Sequence, residues 1–482
     1  MDRSSFLQDS FLRHLPYEAT GDQLRLFAAT GDFLTSDDGD ILVVNGYAGT
    51  GKTTAVSAIL GAMTELGMKC VLLAPTGRSA KVLSMYSGMP ASTIHKHIYR
   101  RSSIGADGTG RFTLSPNKAR GTLYVVDEVS LIGIDQGASQ ADFGSGNLLE
   151  DLVTFLRSGT DCKMILLGDD AQLPPVGMDC SPALEKEYMA GAGGVRFVTL
   201  SEVVRQQADS GILRNATALR EMIATGAQNK LKHLNLITAD DVERIDGSTL
   251  IDILSDAYSR YGEDETVVLC RSNKRANRYN AGIRAQVLYR EERLVREDSL
   301  MVVKNCYYGL EDFEGTDYIA NGDIARIIKV SHYEERYGFH FAEARLSFPD
   351  YGDQELVTKI LLDTLESEAP SLTYEQANKL WLGVSEDYSH LTTKKKRYDA
   401  VHADPFFNAL QIKYANAITC HKSQGGQWDC VFIDNPFWQE DLSLDDLKWL
   451  YTALTRAKTK VYLVNFQDVC FGHAASPLAA LP

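Results

Sequence analysis

No apolar run of about 18 residues, the length a membrane-crossing helix needs, occurs in this chain. Cysteine is scarce, eight in 482 residues, and no C-x-x-C pair is present. A disulfide framework and a zinc module are therefore not expected, and reduced thiols in a cytoplasmic setting are. The opening MDRSSFLQDSFLRHL lacks the apolar core and cleavage site of a secretory leader, and its Leu and Phe spacing suits a short helix. No internal repeat or low-complexity tract stands out. Positive charge is also short, with 49 Lys and Arg against 64 Asp and Glu and a net charge of −15. Taken alone that balance argues against nucleic acid. The average hides a distribution, because Arg271 to Arg296 holds eight basic residues and two acidic ones, while Glu440 to Asp446 is acidic. An acidic chain can carry one basic groove, so net charge excludes nothing.

At 482 residues the chain exceeds one hydrophobic core, and roughly two to four domains are expected. Its most informative stretch runs from Ile41 to Thr54: an apolar run, then G-x-x-x-x-G-K-T, then a helix-forming segment to Leu66. Glycines at 46, 49 and 51 let successive backbone N–H groups turn inward around a phosphate without Cβ clashes. The following helix adds its positive end. Lys52 can reach β- and γ-phosphates, and the Thr53 hydroxyl can hold Mg²⁺. A bare glycine turn is the bland alternative, but a strand before and a helix after are what a phosphate loop requires.

Further strands are expected at Cys70 to Leu73, Thr122 to Val126 and Lys163 to Leu167. They end in Pro75-Thr76-Gly77, Asp127-Glu128 and Gly168-Asp169-Asp170, with a helix from Arg78 to Tyr86. Short apolar strands alternating with helices predict an α/β fold with a parallel sheet whose ligands bind at the strands' carboxyl ends. Residues 98–120 interrupt the rhythm and read as a protruding hairpin. Alternation resumes at Thr266 to Cys270, Ala417 to Thr419, Cys430 to Ile433 and Val461 to Val464, a second α/β core. A β-rich insertion over about 303–405 splits that core. Within it Thr373 opens T-x-x-Q and predicts a capped helix.

Asp127-Glu128 at a strand end suits the second half of a phosphate-loop hydrolase. Asp127 would hold Mg²⁺ through water, and Glu128 would polarise the attacking water. Paired carboxylates also cap helices, but the strand before them and the phosphate loop upstream favour catalysis. In Gly-Asp-Asp-Ala-Gln-Leu-Pro-Pro-Val, Gln172 suits a γ-phosphate sensor, or its amide simply stabilises a turn. Positive charge on the transferred group calls for an arginine from an opposing domain; Arg205 and Arg456 are the candidates, although a lone arginine is more often a surface charge.

GYAGTGKT, APTGRSAK, TIHKHI, VVDEVS, LLGDDAQLPPV, VVRQ, AITCHKSQGGQW and YTALTRAK stand in the order found in superfamily 1 helicases. Their Gln-Leu-Pro-Pro, His-Lys-Ser-Gln-Gly and Ala-Leu-Thr-Arg-Ala forms resemble subfamily B, the RecD/Dda-like group, over residues 20 to about 465. The resemblance implies two RecA-like domains, the first over 1–97 and 121–184, the second over 185–302 and 406–482. It further implies a pin at 98–120 and an SH3-like, tower-type domain with helical elaboration at 303–405. It places Gln23, which resembles the adenine-reading glutamine, with Gly49, Thr50, Gly51, Lys52, Thr53, Thr54, Asp127, Glu128, Gln172, Arg205 and Arg456 around ATP and Mg²⁺ between the two domains. Gly426 and Gln427 occupy a position near the nucleotide where relatives often carry a small residue and a glutamate. Thr76, Arg78, Thr93, His95, Thr419, His421 and Ser423 resemble the single-strand track, and hydroxyls, cations and an imidazole suit phosphates and bases. Thr76 and Thr93 also read as helix N-caps. Tyr99 and Phe112 either abut the last base pair or pack the hairpin's base. Ser272, Asn273 and Lys274, with Asn280 and Arg284, resemble the part of the second domain that approaches DNA, or form a solvated helix face.

The implied activity is ATP-dependent unwinding of DNA with 5′→3′ movement on the single strand, by a monomer in the cytoplasm of a bacterial or phage-infected cell. Implied partners are single-stranded DNA, duplex junctions, and single-strand-binding or replication and recombination proteins, with no membrane. Two alternatives stay open: an RNA or RNA–DNA hybrid helicase, and a DNA-stimulated regulatory ATPase acting through the insert.

Overall fold

The computed structural model describes residues 2–104, 110–134, 144–204, 210–226, 230–311, 313 and 318–472, with backbone alone at 101–104, 110 and 111. The chain divides into two units, one of residues 1–243, 437–455 and 467–482, the other of 244–436 and 456–466.

The first unit is built on six parallel strands in the order Ala91–Thr93, Lys69–Ala74, Thr122–Val126, Lys163–Gly168, Ile41–Gly46, Val195–Leu200. Both faces are covered by helices, which is why Ile41 to Val44 is apolar without alternation. Leu42 and Val44 enter one core with Phe11, Leu26, Phe27 and Ile59. Ile41 and Val43 point the other way, into a core with Leu149, Leu152 and Phe155. The expected strands at 41, 70, 122 and 163 are all present. Val195–Leu200 is an addition, pairing with Ile41–Gly46 along its whole length. The expected boundary at 184 therefore falls inside the first unit, because the edge strand and the helix Gly211–Thr225 follow it there.

Tyr99–Ile104 and Gly110–Leu114 form an antiparallel pair. The hairpin's root is anchored: Tyr99 is buried with its hydroxyl donating to Asp151 at 2.6 Å, and Phe112 packs against the core of Ile94, Phe155 and Leu152.

In the second unit four parallel strands run in the order Ala417–Thr419, Thr266–Cys270, Trp428–Asp434, Ala457–Val464. The inserted stretch closes into a five-stranded barrel of Ser299–Val302, Ile324–Arg336, Phe339–Phe348, Gln354–Leu361 and Leu410–Tyr414. Closure leaves no free sheet edge. The barrel extends past the expected limits of 303 and 405 because its first and last strands pair with each other, Leu300 opposite Tyr414. Helices Tyr374–Asp387 and Lys394–His402 add a small core with Phe341, Leu380, Val384 and Phe406. The capping box of Thr373 and Gln376 opens the first of them, as the T-x-x-Q pattern predicts.

Asn280 and Arg284, on the basic helix Asn273–Gln286, do not face solvent. Asn280 accepts from the Ala417 N–H at 2.8 Å and donates to its carbonyl. Arg284 grips Asp298 with two bonds of 3.0 and 2.9 Å, and Arg290 touches the same carboxylate. Replacing Arg284 by alanine leaves Asp298 buried with half its cationic partners. We expect a loss of about 3 kcal/mol in the stability of this unit, read from chemical or thermal unfolding.

Candidate nucleotide site

The site of the first unit lies at the carboxyl ends of its central strands. After Ile41–Gly46 the chain turns through Gly49 and Gly51, with φ of 74° and 70°, into the helix Lys52–Glu65. The left-handed backbone at Gly51 also brings it against other groups, since a Cβ there would lie 2.5 Å from the Gln23 Nε2 and 2.7 Å from the Tyr17 hydroxyl. No side chain caps this helix, so its first N–H groups point into the loop, the arrangement that binds a phosphate. Thr50 turns inward and donates to the Tyr47 carbonyl, whereas Thr53 is exposed and Thr54 half-buried.

Lys52 reaches across to the end of Lys163–Gly168, donating to the Gly168 carbonyl at 3.4 Å. Beside it is Asp169, only 1% exposed. Burial pushes its carboxyl up to about 6, against the pull of the Lys52 ammonium and a bond from Tyr451. At the end of the adjoining strand, Asp127 accepts from the Tyr86 hydroxyl at 2.7 Å and from the Glu128 N–H at 2.8 Å, one bond per oxygen. A carboxylate oxygen has two acceptor sites, so each keeps one for a cation or its water. The Asp127 carboxylate and burial both push the Tyr86 hydroxyl well up, so it stays a donor.

Glu128 has φ of 54°, a left-handed backbone in a residue that is not glycine. Such strain persists where surroundings impose it and clusters at functional sites. Its Oε2 is buried with no hydrogen-bond partner, and so is the Oε1 of Gln172. Two solvent-excluded acceptors are costly unless something donates to them. An attacking water and the groups around a phosphate would do so. These residues fit Mg²⁺ and a nucleoside triphosphate: Thr53 and Asp127 would supply oxygen ligands, Lys52 the charge, and the loop the N–H groups.

A cavity of about 280 Å³ adjoins the loop, lined by Tyr17, Glu18, Ala19, Thr20, Gly21, Glu202 and Val204. It has the size and place for a base. Gln23 stands next to it, but its amide is committed to the protein. Its Oε1 accepts from the Thr20 N–H at 3.1 Å, and its Nε2 faces the Tyr17 hydroxyl and the carbonyls of Thr50 and Gly51. Reading a base edge would require it to give up a bond within the capping box that opens Gly21–Thr35.

The other expected positions divide. Arg205 lies outside the described residues. Arg456 belongs to the second unit, buried, with its guanidinium on the Gly426 carbonyl at 3.3 Å. That contact brings two expected nucleotide residues together, while Gln427 is exposed. Thr76 and Thr93 cap the helices Gly77–Ser87 and Ile94–Ile98, as their N-cap reading has it. Arg78 is half-buried, and His95 stands 5.7 Å from the Tyr99 ring. Ser423 is buried and donates to the Cys420 carbonyl at 2.7 Å, which removes its hydroxyl from any surface. Thr419 starts the short helix Cys420–Ser423 without a capping bond, and His421 is exposed. Ser272 caps Asn273–Gln286, and Asn273 donates to the Glu368 carbonyl at 3.0 Å.

Residues not anticipated are Tyr86, Tyr17, Glu202 and a helix from far along the chain, Leu444–Leu454. Tyr451 on that helix accepts from the Ala48 N–H at 2.9 Å and donates to Asp169 at 2.7 Å. A tyrosine inside the Tyr-Thr-Ala-Leu-Thr-Arg-Ala run was the available signal for Tyr451. Tyr86 had none.

Residues 22–241 match the family described as AAA domain, and residues 414–464 the UvrD-like helicase C-terminal domain. Among curated proteins, the chain is 31% identical over 200 residues to the ATP-dependent RecD2 DNA helicase of Deinococcus radiodurans, 42% of this chain and 24% of that protein. It is 25% identical over 458 residues to the ATP-dependent DNA helicase dda of Enterobacteria phage T4, 88% of this chain and 94% of that one. The chain thus spans about a quarter of the first relative and nearly all of the second. Among solved structures, the Pif1 helicase from Bacteroides in complex with ADP-AlF3 and ssDNA is similar, at 16% identity and a TM-score of 0.48 over 94% of each chain.

Proposed function

Because the chain belongs to the RecD/Dda-like subfamily B of superfamily 1, a family of ATP-hydrolysing helicases, we propose that it unwinds DNA by moving 5′→3′ along a single strand with ATP and Mg²⁺. The observation that carries the reading is the pair of buried acceptors, Glu128 Oε2 and Gln172 Oε1, in the site that holds Lys52 and the uncapped helix Lys52–Glu65. A structural turn needs no such pair.

In this reading the loop N–H groups and Lys52 hold the β- and γ-phosphates. Glu128 takes a proton from the water whose oxygen attacks the γ-phosphorus, and the bond to the β-phosphate oxygen breaks. The metal, held by Thr53 and Asp127, supplies charge neutralisation on the phosphates when bound. Gln172 senses the γ-phosphate, and Arg205 and Arg456 add positive charge to the transferred group. We assign 98–120 to separating the duplex and the barrel, with its outer helices, to the SH3-like insertion. The strand is gripped and released as phosphate is bound and lost.

ATP hydrolysis is expected to rise many-fold with single-stranded DNA. The stimulation should weaken between about 50 and 200 mM salt, because strand binding releases counterions. A fluorescence assay with 5′- and 3′-tailed duplexes reads the direction, and unwinding of the 5′-tailed substrate alone is expected. An ATPase rate indifferent to DNA would remove the translocase reading.

A further inference from the structure

The helix Leu444–Leu454 holds the nucleotide site at several points. The Tyr451 hydroxyl has one proton and accepts through its lone pairs, and it makes one bond of each kind. It accepts from the Ala48 N–H in the phosphate loop at 2.9 Å and donates to Asp169 at 2.7 Å. One residue on, the Thr452 hydroxyl accepts from the Leu173 N–H at 2.8 Å. One turn back, the Lys448 ammonium donates to the carbonyls of Asp170 and Asp179 at 2.7 and 2.8 Å. The same helix thus fixes the phosphate loop at one place and the loop carrying Gln172 at four. Trp449, Leu450 and Tyr451 are fully buried, so the helix is seated by packing as well.

We propose that Tyr451 is a positioning residue for ATP hydrolysis: its hydroxyl joins the phosphate loop to Asp169 and so sets how Lys52 and Gln172 stand to each other. The proposal rests on the ATPase reading above. Two bonds on one oxygen make a short, directional link, with Ala48 and Asp169 held on a single atom. Asp169 takes its second bond from the Ala171 N–H at 3.0 Å, and the Gln172 N–H in turn donates to the Asp169 carbonyl at 3.2 Å. The link therefore reaches the γ-phosphate sensor through one residue. A phenylalanine of the same shape would fill the space without joining the two loops.

The charges facing Asp169 give this role a signature that packing lacks. Lys52 draws its carboxyl down, Asp170 pushes it up, and the Tyr451 and Ala171 donors draw it down, against a burial that leaves it at about 6. Tyr47 stands close enough to feel the same carboxylate. Removing the Tyr451 hydroxyl takes away a bond that favours the charged form, so Asp169 protonates at higher pH.

The test is the pH profile of kcat/KM for ATP, which reports the free enzyme, in the full-length Tyr451→Phe variant with saturating single-stranded DNA. We expect the acid limb to move up by about one pH unit. The rate should lie below the wild-type value at every pH, because the bond to Ala48 is lost as well, with a further several-fold deficit near pH 6.5 that fades above pH 8. In Asp169→Asn that limb should be absent, and adding Tyr451→Phe to it should shift nothing further. A Tyr451→Phe profile superimposable on the wild type, or lowered equally at every pH, overturns the proposal. So does an acid limb that stays at the wild-type pH in Asp169→Asn, since the ionisation of Glu128 would leave a limb at lower pH, and that result also decides the matter should Tyr451→Phe not fold. A wild-type protein without ATPase activity would instead overturn the parent reading, so the two failures are distinguishable.

Discussion

Glu128→Gln is expected to lower the DNA-stimulated rate of ATP hydrolysis by roughly 10²–10⁴-fold, the usual worth of a positioned general base, while nucleotide and single-strand binding survive. The side chain keeps its size, so the left-handed backbone at 128 and the bond from its N–H to Asp127 have no reason to change. What changes is the buried Oε2, which the structure leaves without a donor. A carboxylate there accepts from water and can take its proton. An amide in the same place keeps one weaker acceptor and gains a donor, and cannot be protonated in the working range. The site then holds ATP without turning it over, and unwinding stops with the chemistry. Quench-flow measurement of a single turnover separates this from slow product release. A variant within tenfold of the wild-type single-turnover rate would remove Glu128 from the role of base.

The positions of the candidate nucleotide-site residues were largely legible in the chain because they sit where strands end, and the strands are buried on both faces. Gly51, Lys52, Asp127 and Gln172 follow apolar runs that nothing but a covered parallel sheet explains. Where the sequence left the direction of a side chain open, the cause is different. Residue type announces what a side chain can bond, but not whether it points inward. Ser423, Asn280 and Arg284 have the chemistry of a phosphate track, yet their polar atoms are consumed by Cys420, Ala417 and Asp298. Tyr99 is spent on Asp151, in keeping with the second of its two readings, packing at the hairpin's base.

Boundaries failed for a related reason. Val195–Leu200, Ser299–Val302 and Leu410–Tyr414 look alike as short apolar strands, and local pattern does not say which will close a barrel and which will extend a sheet. Tyr451 lies 403 residues from the Ala48 N–H it meets, a distance that no local periodicity spans.

Lys52→Ala should lower hydrolysis by at least roughly 10²–10³-fold, the loss seen when a donor aimed at developing charge is removed from a water-poor site, and unwinding should vanish with it. The stem of Lys52 lies over Gly46, whose added Cβ would stand 3.0 Å from the Lys52 Cδ, so the ammonium is delivered along one path to the mouth of the loop. Alanine leaves the loop N–H groups in place but takes away the side-chain cation the structure aligns with Gly168 and Asp169. Arginine is not a substitute, since a planar fork on a different stem cannot occupy that path. The substitution also tests the electrostatics of its neighbour. Without Lys52 the buried carboxyl of Asp169 loses its largest stabilising charge, so it should be protonated at neutral pH instead of unfolding the loop. The expected variant is therefore folded, binds single-stranded DNA in the absence of nucleotide as the wild type does, and neither hydrolyses ATP nor separates a tailed duplex. Unwinding retained by Lys52→Ala would mean that the phosphates are held elsewhere, and the assignment of the site at 46–54 would fall with it.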